Sequence, residues 1–215
     1  MKFHNIILFF ILLSLTAFAQ YSVRAGMGIS FNNAPSLIDY IDQNFASPNQ
    51  QLNIFGSAIN FSGEIDYSIN SSYQIGLDFN YFLNSYSFTS INGIYKMDYD
   101  ILMPSLVNYY VISGLGYNFK FGGGIGPRFV NVSEQTQGTP SAKTYTSTGF
   151  GFLARFDGNT LLSTDLYANI GFDLRYDING KPQNGNSYLI NSVTGSNVDF
   201  NMFSAVIRLG LTYNF

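Results

Sequence analysis

Residues 166 to 178 read Leu166-Tyr-Ala-Asn-Ile-Gly-Phe-Asp-Leu-Arg-Tyr-Asp-Ile178, and bulky apolar side chains alternate there with polar or small ones. Successive side chains of a β-strand point to opposite faces, so a repeat of two residues predicts a strand whose faces meet different surroundings. One face carries mostly Leu, Ile, Phe and Tyr, while the other is dominated by acids, an arginine, an asparagine and a glycine. The stretch is therefore predicted to separate an apolar environment from a polar one.

The same alternation recurs along the chain and predicts further strands. It is regular in the ranges 21–31, 59–69, 73–83, 117–129, 145–156 and 205–215. It is less regular in 101–112, where Pro104 has no N–H to give to a ladder. With 166–178 these ranges make eight strands, an even number, as single-chain bacterial membrane barrels have. The predicted fold class is all-β: an eight-stranded antiparallel up-and-down transmembrane β-barrel.

The connections between the predicted strands alternate in length. Tight, turn-rich sequences at 70–72, 113–116 and 157–160 alternate with long polar segments at 32–53, 84–95, 130–144 and 179–198. Outer-membrane barrels have short turns at one end and long loops at the other. We therefore expect both chain ends on the short-turn side and the four long segments on the opposite, extracellular side.

The composition supports a membrane barrel. Charged residues make up 11% of the 215 residues, whereas an average soluble protein has about 25%. The net charge of -3 offers no footprint for nucleic acid, so no nucleic-acid partner is expected. The sequence has no Cys, which excludes disulfides and thiolate chemistry.

The first 19 residues are predicted to be a signal peptide. Lys2 precedes an apolar run, and Ala17 and Ala19 form the small-x-small pattern of a cleavage site, which places Gln20 first in the mature chain. An uncleaved membrane anchor is the alternative, although the apolar run is short for a span. The predicted domains are thus 1–19, a signal peptide, and 20–215, an outer-membrane barrel. The only histidine, His4, lies in the part that is removed.

The volume of the side chains indicates which face of the barrel points outward. A soluble ligand-binding barrel such as a lipocalin would also alternate, but an eight-stranded barrel has room inside only for modest side chains. The bulky face therefore meets lipid, and the small polar face lines the lumen. Twelve charged residues are predicted on that inner face, six basic and six acidic, and their balance predicts paired filling. They are Arg24, Glu64, Asp66, Asp78, Lys120, Arg128, Arg155, Asp165, Asp173, Arg175, Asp177 and Arg208.

The last eight residues resemble the membrane-insertion signal of Gram-negative outer-membrane barrels. Its elements are Arg208, Gly210, Tyr213 and Phe215. The stretches 99–110 and 122–127 also resemble the small porin-like outer membrane protein beta-barrel domain family, of the OmpA and OmpX type. The resemblance implies residence in the cell outer membrane, contact with its lipid and insertion by the barrel assembly machinery. It implies no catalytic residue.

No catalytic, metal or cofactor site is predicted. The outer-membrane barrels with known enzymatic activity rely on a histidine, which the mature chain lacks, so an enzyme is disfavoured. The loop acids Asp39, Asp42, Asp98, Asp100 and Glu134 lack the spacing of a Ca²⁺ site and are expected to be solvated. The glycines of 122–126 precede strand rather than helix, so they are expected to face the lumen rather than bind phosphate.

One long segment is predicted to contain a helix. In residues 35–45, Leu37, Ile38, Ile41 and Phe45 recur at helical spacing after Pro35, which suits a first turn. This helix either packs on the barrel mouth or serves as a lid or partner-contact element.

The sequence favours a non-enzymatic outer-membrane barrel with a plugged polar lumen and long loops for surface contact or envelope integrity. A surface ligand would bind through 32–53, 84–95, 130–144 or 179–198. The alternative is porin-like transport, or passage of a small hydrophobic ligand, across the outer membrane.

Overall fold

The computed structural model describes residues 20–45, 56–90 and 93–215. The predicted signal peptide, with Ala17 and Ala19, and residues 46–53 of the first long segment lie outside these ranges. The described elements are α1 (Pro35–Phe45), β1 (Tyr21–Asn33), β2 (Ser57–Asn70), β3 (Tyr73–Ser90), β4 (Gly93–Gly114), β5 (Tyr117–Gln135), β6 (Lys143–Ser163), β7 (Leu166–Ile178), β8 (Gln183–Asn184), β9 (Ser187–Tyr188) and β10 (Met202–Asn214).

Eight of these strands form a closed antiparallel ring. Strands β1 to β7 pair in chain order, β10 pairs with β7, and the ring closes between β10 and β1 with Gly210 opposite Gly26. The two-residue strands β8 and β9 form a small hairpin in the connection between β7 and β10, and β8 pairs with β6. The prediction of an eight-stranded up-and-down barrel is confirmed.

The two ends of the barrel differ as expected. Residues 71–72, 115–116 and 164–165 make the three tight turns, and the Phe215 N–H donates to the Tyr21 carbonyl at 3.0 Å beside them. We call this end the turn rim and the opposite end the loop rim. The third turn was predicted at 157–160, which is wrong because β6 continues to Ser163 and Asp157 pairs with Gly171. The sequence Asp157-Gly-Asn-Thr160 has turn composition, but cross-strand pairing overrides it.

Strands β3 to β6 extend well beyond the others at the loop rim. The predicted loops 84–95 and 130–144 are therefore largely strand, with β3 reaching Ser90, β4 starting at Gly93, β5 reaching Gln135 and β6 starting at Lys143. In this extension the polarity of the two faces is reversed: Ser85, Asp98, Asn131 and Thr146 face outward, whereas Met97 and Val132 face inward and are buried. The outer face of the extension is therefore suited to contact with water.

Below the extension, the outer surface of the barrel is an apolar belt. Its large side chains are about half exposed; the values are 46% for Phe121, 54% for Leu77 and 62% for Leu209. Such a surface on every strand is stable only against lipid. On the β4–β5 pair the belt ends between the outward pair Leu102–Phe129 and the next outward pair, Asp100–Asn131.

Tyrosines flank the belt at the turn rim. The rings of Tyr21 and Tyr67 lie 5.2 Å apart, and those of Tyr73 and Tyr110 lie 5.5 Å apart, and all four side chains are exposed. Tyr suits this level because one end of the ring is apolar and the other can bind water. No helix among the described residues combines the length and the apolar character that crossing a membrane requires.

Helix α1 closes the mouth of the barrel at the loop rim. Its Leu37, Tyr40 and Ile41 side chains are buried against the inner face of the extension. We call the resulting apolar cluster the cap core; it consists of Ala34, Leu37, Tyr40, Ile41, Phe82, Tyr95, Met97, Tyr99, Ile101, Met103, Val130, Val132, Tyr145, Leu189, Val198, Phe200, Met202 and Val206. Of the two roles predicted for this helix, packing on the barrel mouth is the one observed.

Candidate functional site: the filled lumen

Twelve charged side chains lie buried inside the membrane-spanning part of the barrel, and we call them the lumen network. Eleven are the predicted Arg24, Glu64, Asp66, Asp78, Lys120, Arg128, Arg155, Asp173, Arg175, Asp177 and Arg208. The twelfth is Asp157. The prediction of Asp165 is wrong: this residue is exposed in the turn between β6 and β7, where its carbonyl accepts from the Asn214 N–H at 2.9 Å. Both errors follow from the misplaced turn at 157–160.

Arg155 is the centre of the lumen network. Its Nε and Nη2 donate to the two carboxylate oxygens of Asp173 at 2.7 and 3.0 Å, a bidentate geometry. Its Nη1 and Nη2 also donate to Asp78, both at 3.1 Å, and Nη1 donates to Glu64. The side chain of Arg155 is fully buried, as are those of all three acids. One guanidinium thus binds carboxylates from β2, β3 and β7.

A second group joins the strands on either side of the closing seam. Arg24 donates to Glu64 at 2.6 Å and to Asp157, and Arg208 donates to Asp157 at 2.9 Å and to Asp173 at 3.0 Å. Gly171 gives these side chains room, because a Cβ there would overlap Oδ1 of Asp157 and lie 2.6 Å from Nη2 of Arg208. The arginine side chains occupy the space that a larger residue on β7 would take.

Arg128 supplies hydrogen bonds at an interruption of the ladder between β4 and β5. Strands β4 and β5 pair as far as Leu102–Phe129 and resume in the same register at Leu106–Ile125, which places Pro104 opposite Pro127. Neither proline has an N–H, so carbonyls in this gap lack ladder partners. From the lumen, Nη1 of Arg128 donates to the carbonyls of Pro127 at 2.9 Å and Gly126 at 3.1 Å, while Nε pairs with Asp177.

The network continues towards the turn rim and then gives way to amides. Lys120 donates to Asp66 at 2.8 Å, and Ser22 donates to the same oxygen at 3.3 Å. Nearer the turn rim, Asn169 donates to Asn159 at 2.9 Å, and Asn159 donates to Asn118 at 2.7 Å. Polar contacts therefore span the lumen from strand to strand.

The inner face of β4 is apolar, which was not predicted. Val107, Tyr109 and Val111 are buried there and cluster with Leu153. The Tyr109 hydroxyl donates to Glu64 at 2.8 Å and accepts from Arg155 at 3.0 Å, so this ring is part of the charged layer. The irregular alternation of 101–112 was the available signal, since neither face of that stretch is consistently polar.

The cap core encloses one carboxylate. Glu134 was expected to be solvated, which is wrong: it is buried and accepts hydrogen bonds from Tyr95 at 2.9 Å and from Tyr40. Burial, together with the charge of Glu134, raises the pKa of both tyrosines far above the usual range. Burial also raises the pKa of Tyr99 to about 12. These phenols therefore stay protonated, and the Tyr40 contact joins α1 to β5.

The other loop acids lie at the surface, and the insertion-signal residues lie on β10 or, for Phe215, directly after it. Asp98 pairs with the exposed Lys96 at 2.7 Å, and Asp100 accepts from Asn131 at 3.0 Å. No group of three metal-binding side chains is found among the described residues. At the end of β10, Tyr213 and Phe215 are exposed with ring centroids 5.0 Å apart, whereas Arg208 points into the lumen.

Comparison with known proteins shows similarity in fold alone. No protein-family model matches the sequence, and no curated protein matches it significantly. Among solved structures, the chain is similar to Neisserial surface protein A, NspA, with 18% identity, a TM-score of 0.51, and coverage of 91% of this chain and 97% of that one.

Two other solved structures share the architecture over the whole barrel. Ail, the attachment invasion locus protein of Yersinia pestis, was solved with the heparin analogue sucrose octasulfate; it gives 10% identity, a TM-score of 0.54, and coverage of 91% of this chain and 98% of that one. A major outer membrane protein from Thermus thermophilus gives 12% identity, a TM-score of 0.51, and coverage of 91% and 99%. By their descriptions, NspA is a surface protein and the Thermus thermophilus protein is an outer-membrane protein.

Proposed function

We propose that this chain, which has the fold of the small eight-stranded outer-membrane barrels, is a non-enzymatic outer-membrane protein that is closed to solutes and presents its capped loop rim outside the cell. In this proposal the apolar belt contacts outer-membrane lipid, and the barrel assembly machinery inserts the chain after removal of residues 1–19. The extension and the loops then serve surface contact or envelope integrity.

Two layers of buried side chains lie one above the other inside the barrel, and they support the proposal that it is closed to solutes. The lumen network fills the membrane-spanning part with paired, buried side chains, and the cap core fills the part above it. Arg175 connects the two, since it pairs with Asp173 below and lies 5.3 Å from the ring of Phe82 above. An ion in transit would have to break buried salt bridges and then enter an apolar layer, and both steps are costly.

Transport is the second candidate, and a channel through the lumen would have to pass both barriers. Removing one partner of a buried pair leaves an uncompensated charge, so the network resists opening. The space that remains at the turn rim is a polar vestibule of about 410 Å³, lined by residues that include Gln74, Asn118 and Asn214. Asn118 in its lining accepts from Asn159, which belongs to the amide layer.

The orientation can be tested with single cysteines, because the natural chain has none. Ser192 is exposed at the loop rim, and Ser71 is exposed in a turn at the turn rim. We expect Ser192→Cys to react with a membrane-impermeant maleimide on intact cells. Ser71→Cys should react only after the outer membrane is permeabilised, because the turn rim would face the periplasm.

The two variants serve as controls for each other, and the unmodified chain gives the background. Equal labelling of both positions after permeabilisation would show that both cysteines are present and reactive. Labelling of Ser71→Cys but not Ser192→Cys on intact cells would reverse the proposed orientation. If neither variant is labelled, with or without permeabilisation, the protein does not lie in the outer membrane.

A further inference from the structure

A polar cleft lies at the loop rim, outside the barrel wall. It has a volume of about 460 Å³ and opens between α1 and the segment 190–201 that precedes β10. Its base is formed by Tyr176 and Phe203, which are paired across β7 and β10 and are both about half exposed. Because these two rings belong to the edge of the apolar belt, the cleft lies just above the level where lipid begins.

The walls of the cleft are held in place by hydrogen bonds between α1 and the 190–201 segment. The Asp199 N–H donates to Ser36 Oγ at 3.1 Å, and Asn191 Nδ2 donates to Gln43 Oε1 at 2.9 Å. Asn201 Oδ1 accepts from the Gly180 N–H at 3.2 Å. A ligand would therefore meet polar groups that are already ordered, which lowers the entropy lost on binding.

The lining has the chemistry of a carbohydrate site. The side-chain amides of Asn33, Gln43, Asn191 and Asn201 line the cleft. Those of Asn33 and Gln43 are exposed, Asn201 is partly buried, and Asn191 is buried. An amide donates through its nitrogen and accepts through its oxygen, as the hydroxyl groups of a sugar do. The exposed faces of Tyr176 and Phe203 suit the C–H face of a sugar ring, a weak but directional contact. Apolar surface with a few convergent polar groups is the usual pattern of a small-molecule site.

The charge of the cleft restricts which carbohydrate can bind. Asp39 and Asp199 are the charged residues of the described lining, and it contains no lysine or arginine. A phosphate or sulfate group would be repelled by these carboxylates, whereas an amino group would be attracted. The cleft thus differs in chemistry from a site for a sulfated sugar.

We propose that this cleft binds a carbohydrate without acidic groups, with amino sugars preferred over neutral ones. The exposure of the cleft outside the cell rests on the proposed function, which places the loop rim at the outer surface. There the sugar could belong to the headgroup of a glycolipid in the same membrane or to a soluble glycan. Both sources present the same ring and hydroxyl groups.

The test is binding by saturation-transfer NMR and calorimetry to the refolded protein in dodecylphosphocholine micelles, which carry no sugar. The probes are methyl glucoside, glucosamine and glucose 6-phosphate. We expect glucosamine to bind at least about tenfold more tightly than glucose 6-phosphate, the size of effect expected for a hydrogen bond to a charged group. Methyl glucoside should fall between them.

Two substitutions test the location. Phe203→Ala should weaken all three sugars, while Phe129→Ala, an equally exposed ring on the apolar belt away from the cleft, should weaken none. Asp39→Lys leaves one positive and one negative charge in the lining, so it should abolish the preference for glucosamine over glucose 6-phosphate while neutral methyl glucoside still binds, a pattern that loss of structure does not produce. Circular dichroism checks that each variant is folded.

Nanodiscs with and without glucosyl-diacylglycerol distinguish the two sources of the sugar, a glycolipid headgroup and a soluble glycan. Protection of the 190–201 segment from hydrogen exchange only in the glycolipid discs indicates a membrane headgroup, and protection by free methyl glucoside in plain discs indicates a soluble glycan. Absence of saturable binding to every probe, tighter binding of glucose 6-phosphate to the natural chain, or insensitivity to both substitutions would overturn the proposal. The cysteine labelling and channel closure do not depend on sugar, so the proposed function can fail or hold separately.

Discussion

Replacing Arg155 with methionine is expected to lower the free energy of unfolding by about 3 to 5 kcal/mol, the range found when one partner of a buried pair is removed. Arg155 donates to Glu64, Asp78 and Asp173, and its side chain is fully buried. Methionine fills similar space but leaves these carboxylates short of positive charge in a low-dielectric interior. Arg24, Arg175 and Arg208 would remain to neutralise them in part.

The measurement is urea unfolding of the refolded protein in lipid vesicles, followed by circular dichroism. The matched control is Lys96→Met, which breaks the exposed salt bridge to Asp98 at the surface of the extension. Exposed pairs contribute about 0 to 1 kcal/mol, so this control should change little. The double variant Arg155→Met with Asp78→Asn removes an acid together with the base and should recover part of the loss. Equal destabilisation by Arg155→Met and Lys96→Met would contradict the paired network.

Ile41→Asp is expected to disrupt the cap core while leaving the membrane-spanning barrel folded. Ile41 has no exposed surface, and truncating such a side chain alone costs about 2 to 5 kcal/mol. A carboxylate at the same position adds the penalty of a buried unpaired charge. The inner face of the extension would then lose the helix that covers it, so the effect should be confined to the loop rim.

Hydrogen exchange with mass spectrometry measures this separation. In the Ile41→Asp variant, amides of β4 near Met97 and of β5 near Val132 should lose protection, while those near Leu106 and Ile125 stay protected. Asp39→Ala is the control, because Asp39 is on the same helix but exposed. Unchanged protection of the extension in Ile41→Asp, or equal loss in both variants, would show that α1 does not hold the cap core together.

The strands could be predicted because a barrel between lipid and a filled lumen forces strict alternation. Pairs such as Ala25 opposite Leu211 and Met27 opposite Leu209 follow directly from two apolar outward rows placed side by side. The turn at 157–160 was mispredicted because local composition favours a turn there, whereas Asp157 is held in the lumen by Arg24 and Arg208. Arg24 and Asp157 are 133 residues apart in the chain, so the residues around either one do not indicate their contact.

The extension was missed for a different reason. Alternation resumes in the water-exposed wall with its phase shifted by one residue, so the two faces exchange roles, as at the consecutive apolar residues Ile101-Leu102-Met103 of β4. Tyr95, Met97 and Tyr99 alternate with Lys96, Asp98 and Asp100, a strand pattern that falls between the predicted loop 84–95 and the predicted strand 101–112. The apolar side chains there cover α1, and that helix is placed by tertiary packing that periodicity does not specify.

For the lumen, the sequence predicts the overall balance of charge but not the individual ion pairs. Six bases and six acids on the inner face indicate neutrality, yet which groups meet depends on the register of the closing seam between β1 and β10. The repair of the Pro104–Pro127 interruption by Arg128 likewise requires the register of β4 and β5.

Single-channel conductance in a planar bilayer tests the closed barrel most directly. The natural chain and the Ile41→Asp variant are refolded and inserted side by side, and an open porin is added afterwards to verify the bilayer. We predict no open events from the natural chain, and none from the variant either, because the lumen network closes the membrane-spanning part without the cap. Steady open events from the natural chain would contradict the closed barrel; open events from Ile41→Asp alone would show that the cap, and not the network, holds it shut.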